Sequence, residues 1–220
     1  MQLTSAQPCS SVMCLLLLLA NLLLWENVSS TPDVLSTKDL YDHVVEQSHT
    51  NYDMSAYIYH EFNVKFAKAS WLNDKAPMEC HTASITTPEN FMQIRETKTE
   101  DLLKAVIAIS RAWDYPLIHL ILATAALPTE SNEMMQRIND VKHGIIELLK
   151  GLEILLSRTQ PGAVENFPPH WSGLRELQSS DEDTHLFVMY NLCRCLKKDT
   201  QKVESYLKVL KARVIFKENY

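Results

Sequence analysis

The sequence predicts an all-α protein, an up-up-down-down four-helix bundle with two long crossover loops. Three observations predict this fold. Glycine is scarce, with 4 residues in 220, whereas many-turned β folds and phosphate-binding loops depend on glycine. Apolar residues recur at steps of three and four over four long stretches, which is the spacing of one helix face. The connections between these stretches are very unequal, at about thirty, four and twenty residues.

Each predicted helix has its own signals in the sequence. The four helices are predicted over about 37–66, 99–126, 130–157 and 181–213. The first follows a cap at Ser36–Asp39, the second a Thr97–Glu100 capping box, and the fourth a cap at Ser179–Glu182. Pro116 interrupts the second stretch, so we expect a kink there.

The lengths of the connections predict the topology. The short second connection makes the second and third helices antiparallel neighbours. Helices of this size are about 45 Å long at 1.5 Å per residue. The two longer connections can each run back along a whole helix at about 3.3 Å per residue. Such overhand crossovers are unnecessary for up-down-up-down order and are typical of up-up-down-down order.

The first thirty residues have the pattern of a secretory signal peptide. The apolar run Leu15–Leu24 is shorter than the roughly 20 residues that span a bilayer. Val28-Ser29-Ser30 supplies small residues for cleavage, although residues 1–30 lack the Lys or Arg of a usual n-region. The sequence therefore predicts a signal peptide over 1–30 and one secreted helical domain over 31–220, with no membrane insertion after cleavage.

Cleavage would leave three cysteines, Cys80, Cys193 and Cys195. On a helix, side chains two positions apart in the sequence point about 200° away from each other. Cys193 and Cys195 therefore cannot form a disulfide with each other. One of them pairs with Cys80, or no bridge forms. Cys193 lies on the apolar stripe of its helix and Cys195 lies off it. This favours a Cys80–Cys195 bridge and a buried thiol at Cys193, with Cys80–Cys193 as the alternative.

Composition and motifs argue against several classes of function. The net charge of −6 is not that of a nucleic-acid-binding protein. The sequence has no H-E-x-x-H, G-x-S-x-G or Walker motif. The pairs Glu46/His49 and Glu182/His185 have the spacing used in di-iron bundles, but the additional inward glutamates are missing. We therefore expect neither an enzyme nor a cofactor.

Six segments carry a resemblance to a known family. They are Cys80–Ser84, Thr87–Asn90, Ala112–Leu117, Trp171–Leu174, Tyr190–Asp199 and Glu204–Lys211. In order and spacing the sequence resembles the prolactin/growth-hormone family, above all its placental-lactogen and prolactin-like members. The resemblance implies a bundle of the long-chain cytokine type, a secreted hormone, and a Cys80–Cys195 bridge equivalent to the family's long disulfide. Ala212 stands where the family's second, C-terminal disulfide would begin.

The resemblance also implies a first receptor-binding site. In this family one hormone is believed to clamp two receptor chains, and the first site uses the first and fourth helices with part of the first crossover. The positions assigned to this site are His49, Lys198, Lys202, Glu204 and Tyr206. The fourth helix is rich in Lys and Arg, which would suit an acidic receptor surface. The alternative is that these cations merely favour the helix C-terminus.

Some family members bind zinc between hormone and receptor, and this sequence retains only part of such a site. His49 and Glu204 match two ligand positions, whereas Tyr52 and Gln201 replace histidines found in relatives. Two protein ligands make a weak zinc site. The favoured interpretation of His49 is a surface histidine beside the interface.

Gly151 marks a second predicted site. Glycine within a helix costs about 1 kcal/mol relative to alanine, so its presence in the third helix needs a reason. The resemblance makes it a notch for the second receptor, and the alternative is close packing against a neighbouring helix. Under the first interpretation, Gly151→Arg would keep the fold and first-site binding but abolish receptor activation.

The predicted function is that of a monomeric secreted hormone. Its partner would be a prolactin-type class I cytokine receptor, which the hormone dimerises to trigger signalling. The alternative is a family member without lactogenic activity that acts on a different cell-surface partner.

Overall fold

All four predicted helical regions are present in the computed structural model, which describes residues 35–66, 75–127, 132–162 and 169–218. The elements are α1 (Thr37–Phe66), a 3-10 helix (His81–Ser84), α2 (Phe91–Glu96), α3 (Thr99–Arg111), α4 (Asp114–Ala125), α5 (Asn132–Thr159), α6 (Leu174–Leu177) and α7 (Glu182–Glu218). The described part of the chain contains no β-strand. The predicted signal peptide, residues 1–30, lies outside the described residues.

Two of the three predicted helix caps are confirmed. At the start of α1 the Asp39 amide donates to Ser36 Oγ at 3.0 Å, and the Ser36 hydroxyl donates to the Asp39 carboxylate at 2.7 Å. At the start of α7 the Thr184 amide donates to Asp181 Oδ2 at 3.0 Å. Both caps satisfy amide groups that have no partner within the first turn.

The predicted capping box before α3 is wrong. Thr97 closes α2 instead, because its hydroxyl donates to the Gln93 carbonyl at 2.7 Å. Lys98 is the N-cap of α3, and its side chain makes no capping hydrogen bond. A short helix that sequence periodicity did not predict therefore ends where the box was expected.

The second predicted helix is divided in two rather than kinked. Pro116 has no amide hydrogen to donate to the carbonyl four residues earlier, that of Ala112, and its ring crowds that carbonyl. The chain accordingly breaks at Ala112 and Trp113, between α3 and α4. The Ala112 carbonyl accepts a hydrogen bond from His81 Nε2 at 3.0 Å instead.

Contacts between helices establish their directions. Residues near the start of one helix meet residues near the end of another in three helix pairs. These contacts join Tyr59 to Tyr190 and Asp42 to Lys211 between α1 and α7, Thr37 to Arg158 and Tyr57 to Arg137 between α1 and α5, and Thr99 to Arg213 and Trp113 to Asp199 between the α3–α4 region and α7. Thus α1 and α3 run one way and α5 and α7 the other. The predicted up-up-down-down order is confirmed.

The core consists of two apolar clusters along the bundle. One gathers around Phe62, Trp113 and Met189, and the other around Val106, Leu152 and Leu207. Burial of the apolar side chains in these two clusters is the main favourable contribution to folding. A small cavity of about 10 Å³, partly lined by polar side chains, lies at the middle of α1 and α7. Its polar lining residues are Ser48, Asn51, Ser110, Asp199 and Thr200.

Candidate functional site

A groove of about 720 Å³ runs between α7 and the segment that leads from residue 79 to residue 94. This segment belongs to the first predicted crossover. The groove is lined by Glu79, Ala83, Ile85, Thr86, Thr87, Pro88, Glu89, Ile94, Lys198, Gln201, Lys202, Ser205 and Tyr206. Three of the five positions assigned to a first receptor site, Lys198, Lys202 and Tyr206, therefore meet in one concave surface. We call it the α7–crossover groove.

A disulfide anchors one end of this groove. Cys80 and Cys195 are bonded, with an S–S distance of 2.07 Å, across 115 residues of sequence. This confirms the favoured pairing over Cys80–Cys193. Cys193 is a free, fully buried thiol, and burial raises its pKa to about 12. It therefore stays protonated and packs as a small apolar side chain.

Asp199 connects the crossover with two helical regions. Its side chain is buried, and Oδ2 accepts hydrogen bonds from the Thr82 hydroxyl at 2.8 Å and from the Trp113 indole at 2.9 Å. Burial raises the pKa of this carboxyl, and the two hydrogen bonds oppose that rise. One side chain of α7 thus holds both the 3-10 helix and the junction between α3 and α4.

His81 adds a second connection at the same junction. Besides donating to the Ala112 carbonyl, it presents its ring at a steep angle to Trp113, with the centroids 4.8 Å apart. Burial is the largest effect on this imidazole and lowers its pKa. Sequence reasoning missed both His81 and Asp199. The available signal was Pro116, which leaves the Ala112 carbonyl in need of a donor.

Tyr206 and Lys202 hold the wall of the groove rather than projecting from it. The Tyr206 side chain is 2% exposed, and its hydroxyl donates to the Pro88 carbonyl at 2.6 Å. The half-buried Lys202 ammonium donates to Thr87 Oγ1 at 3.0 Å. Tyr206 therefore cannot be an exposed anchor in this conformation, and its hydroxyl instead holds the crossover segment at Pro88.

Most cations of α7 already have partners within the chain. The intramolecular contacts are Arg194 with the Met78 carbonyl, Lys197 over the Tyr59 ring, Lys202 with Thr87, Lys208 with Glu204, Lys211 with Asp42, and Arg213 with the Ile94 carbonyl. Lys198 is exposed on the groove. The positive charge of the groove that a partner could reach is thus concentrated at Lys198 and Lys202.

His49 and Glu204 do meet, as the weak zinc hypothesis requires, but the site does not suit a cation. His49 Nδ1 lies 2.8 Å from Glu204 Oε1, and the Lys208 ammonium lies 2.6 Å from the same oxygen. That ammonium would repel a metal ion. No group of three or more His, Cys, Asp or Glu residues in the described ranges could hold a metal. Glu204 is also buried, so its carboxylate is not exposed at the surface.

Gly151 lies on a close seam between α1 and α5. A Cβ at this position would come within 2.6 Å of Val44 Cγ1, and a Cβ at Gly144 would overlap the Asn51 amide. Arg137, Gly144, Gly151 and Arg158 follow one another at seven-residue steps along α5, all facing α1. The close-packing interpretation of Gly151 is therefore supported, and a receptor notch there stays a prediction.

The outer face of α1 and α5 is acidic. Five acidic residues are exposed or half-exposed on the outer sides of these two helices: Glu46, Glu61, Glu133, Asp140 and Glu147. Arg137 lies among them, stacked 4.1 Å from the centre of the exposed Tyr57 ring and paired with Glu133 at 2.8 Å. We call this the α1–α5 face. The α7–crossover groove, by contrast, is lined by charges of both signs, Lys198 and Lys202 together with the exposed Glu79 and Glu89.

Comparisons with known proteins identify the family. Residues 17–219 match the Somatotropin hormone family. The chain is 52% identical to Prolactin-3D4 of Rattus norvegicus over 99% of each chain, and 49% identical to Prolactin-3D1 of Mus musculus over 98% of each. It is 46% identical to Prolactin-3B1 of Mesocricetus auratus over 93% of each. The protein belongs to the somatotropin/prolactin family of hormones, which is not a family of enzymes.

Proposed function

We propose that this protein is a secreted hormone that binds a prolactin-type class I cytokine receptor through the α7–crossover groove. The observation that carries this proposal is the groove itself, a concave surface of about 720 Å³ with Lys198 and Lys202 on its rim. Its position on a hormone-family bundle matches the first receptor site implied by the sequence.

The groove suits recognition by a receptor loop that carries both signs of charge. Lys198 and Lys202 would attract its acidic groups, the exposed Glu79 and Glu89 would attract its basic groups, and together they would set its orientation. The disulfide, Asp199 and Tyr206 hold the crossover in place before binding, so little further ordering of the chain is required. Preorganisation of this kind raises affinity because less conformational entropy is lost on association.

The α1–α5 face is our candidate for a second receptor contact. It lies on α1 away from α7, so a second receptor chain could bind while the first occupies the groove. Its exposed Tyr57 and Arg137 are of the types that dominate binding energy in protein interfaces. Signalling would follow from bringing the two receptor chains together.

Binding and signalling can be tested separately. The mature chain, residues 31–220, would be titrated against the prolactin receptor ectodomain and applied to cells that carry the receptor. We expect binding, receptor phosphorylation, and at least a tenfold loss of affinity on combining Lys198→Glu with Lys202→Glu. Lys150→Glu is the matched control, because this α5 side chain is 64% exposed and lies outside the groove. Absence of binding at saturating ligand would refute the proposal.

The second candidate function is a hormone for a different cell-surface partner. It is favoured by the burial of Tyr206 and Glu204, which leaves only part of the assigned first site exposed. In that case the receptor ectodomain would not bind, whereas another ectodomain in a cytokine-receptor panel would bind and lose affinity on the same double lysine change.

Secretion is tested by expressing residues 1–220 in mammalian cells. We expect the protein in the medium with an N-terminus near Thr31. Retention of residues 1–30 in a membrane fraction would contradict the predicted signal peptide.

A further inference from the structure

A positively charged side chain lies against the disulfide. Nη2 of the Arg194 guanidinium is 3.6 Å from Cys195 Sγ and 4.0 Å from Cys80 Sγ. The same nitrogen donates to the Met78 carbonyl and lies 3.4 Å from Asn191 Oδ1. The Met78 amide donates to that Asn191 oxygen at 3.0 Å. These contacts hold the guanidinium in place, so a fixed positive charge faces the S–S bond.

This charge bears on how the disulfide can be cleaved. A thiolate cleaves a disulfide by bonding to one sulfur while the other sulfur leaves as a thiolate. Arginine or lysine beside a cysteine stabilises the negative charge of its thiolate. Cys195 Sγ is the sulfur closer to the guanidinium. The arrangement therefore favours attack at Cys80, with Cys195 as the leaving group.

Cys80 is also the more accessible of the two cysteines. It is 9% exposed, against 4% for Cys195. It lines a groove of about 570 Å³ together with Cys195, and a pocket of about 260 Å³ together with Arg194. The charged residues that line this pocket are Glu79, Arg194, Lys198, Asp199 and Lys202. The cations outnumber the carboxylates, which favours the approach of an anionic thiolate.

We propose that the Cys80–Cys195 disulfide is a reductive modification site, cleaved by an external dithiol while Arg194 stabilises the leaving thiolate. One thiolate of the dithiol bonds to Cys80 Sγ, the Sγ–Sγ bond breaks, and Cys195 leaves with the electron pair and takes a proton from water. The second thiolate of the dithiol then attacks its own sulfur in the mixed disulfide and releases Cys80, which is protonated in turn. The dithiol is oxidised to a disulfide, and the protein gains two thiols.

Reduction would detach the crossover from α7 at one end of the α7–crossover groove. The hydrogen bonds from Thr82 to Asp199 and from Tyr206 to the Pro88 carbonyl would remain. With its covalent anchor lost, the crossover must be ordered again on binding, so we expect weaker receptor binding. This consequence rests on the proposed function, whereas the chemical step does not.

The test measures how fast dithiothreitol reduces residues 31–220 under native conditions. A Cys193→Ala background leaves Cys80 and Cys195 as the only cysteines. Samples are alkylated at intervals, and mass spectrometry counts the new thiols. Arg194→Gln should slow reduction at least about threefold, because the leaving sulfur loses its neighbouring cation. Arg194→Lys retains a positive charge and should be reduced faster than Arg194→Gln.

The control is Lys150→Gln, which removes a cation from a 64% exposed side chain of α5. It should leave the rate unchanged, and circular dichroism should show all variants equally helical. A purely structural role of Arg194 predicts the opposite effect of Arg194→Gln, since a loosened contact with Met78 would expose the bond. Faster or unchanged reduction of Arg194→Gln would overturn the proposal.

A second readout separates direct attack from reduction of unfolded chains. The rate should rise linearly with dithiothreitol concentration and stay constant at urea concentrations well below the unfolding transition. A rate that increases with urea from the lowest concentrations would show that the bond is cleaved only after unfolding, and would also overturn the proposal. Neither readout involves a receptor, so failure of the proposed function would leave this test unaffected.

Discussion

The crossover beside α7 and the seam between α1 and α5 are held in place by different means. The crossover, residues 75–90, has little helical backbone of its own. It is fixed by a disulfide, by Asp199 and by the Tyr206 hydroxyl. The seam joins two complete helices and is fixed by shape, with glycine at the two closest points. The side-chain amide of Asn51, which lies on the seam opposite Gly144, has no hydrogen-bond partner among the described residues.

This difference has a physical origin. A helix satisfies its own backbone hydrogen bonds, so a neighbouring helix needs only a complementary surface. A crossover segment has no such internal ladder and would lose much conformational entropy on being ordered. Specific bonds must offset that loss. Single substitutions should therefore lower the free energy of unfolding more in the crossover beside α7 than on the seam between α1 and α5.

The largest expected effect comes from removing the disulfide. Combining Cys80→Ser with Cys195→Ser should lower the free energy of unfolding by about 4–5 kcal/mol, because the unfolded chain regains the freedom of a long loop. Denaturant unfolding followed by circular dichroism measures this loss. Cys193→Ala is the control, and it should cost less than half as much. A loss below about 1 kcal/mol in the double variant would show that the disulfide is not one of the bonds that stabilise the crossover.

Asp199→Ala tests the polar connection of the crossover. It leaves the Thr82 hydroxyl and the Trp113 indole buried without an acceptor, so we expect a loss of about 2–3 kcal/mol. Asp140→Ala removes a carboxylate that accepts only an exposed bond from Gln136, and should change stability by less than about 0.5 kcal/mol. If the two variants lost the same free energy of unfolding, Asp199 would not be holding the crossover in place.

Gly151→Arg tests the seam. Overpacking against Val44 should cost about 1–3 kcal/mol, partly offset by the roughly 1 kcal/mol that replacing a helical glycine gains. We therefore expect a net loss near 1 kcal/mol, with the fold kept, as the sequence-based hypothesis also expects of this variant. Ser157→Arg, at an exposed site on α5, is the control. If both variants unfold at the same denaturant concentration, the seam has room for a side chain.

The smallest effect concerns pH. Burial holds the folded-state pKa of His81 below its usual 6.5, so its contribution to stability is complete above pH 6.5. It is lost as pH falls through the folded-state pKa, because the unfolded chain takes up the proton first. His81→Gln should therefore lose less stability than the wild type between pH 8 and pH 5. The wild type and the variant share all other histidines. An equal loss of stability in both would therefore contradict the assignment of this pH dependence to His81.

Much of the fold could be predicted from the sequence because its determinants are local. Apolar periodicity located the four helical regions, and Ser36 and Asp181 marked two of their starts. Connection length then limited the topology to one order. The division of the second helix was only half predicted. Pro116 indicated a disturbance, but its consequence depended on whether a donor from elsewhere could satisfy the Ala112 carbonyl.

The candidate site was predicted less completely. Lys198 and Lys202 line one groove and His49 meets Glu204, while their role in receptor binding stays a prediction. The burial of Tyr206 and the role of His81 were not foreseeable. Each depends on where a loop remote in sequence comes to lie, and helical periodicity carries no information about that.

The sequence by itself determined the four helical regions and their order, because hydrophobic spacing and chain length act through local geometry, and its matching segments indicated the family. Only the tertiary structure decided which side chains remain available to a partner. It buried Tyr206 beneath the crossover and engaged most cations of α7 within the chain. Exposure is a property of the packed whole, since each residue's surroundings come from elements distant in the chain.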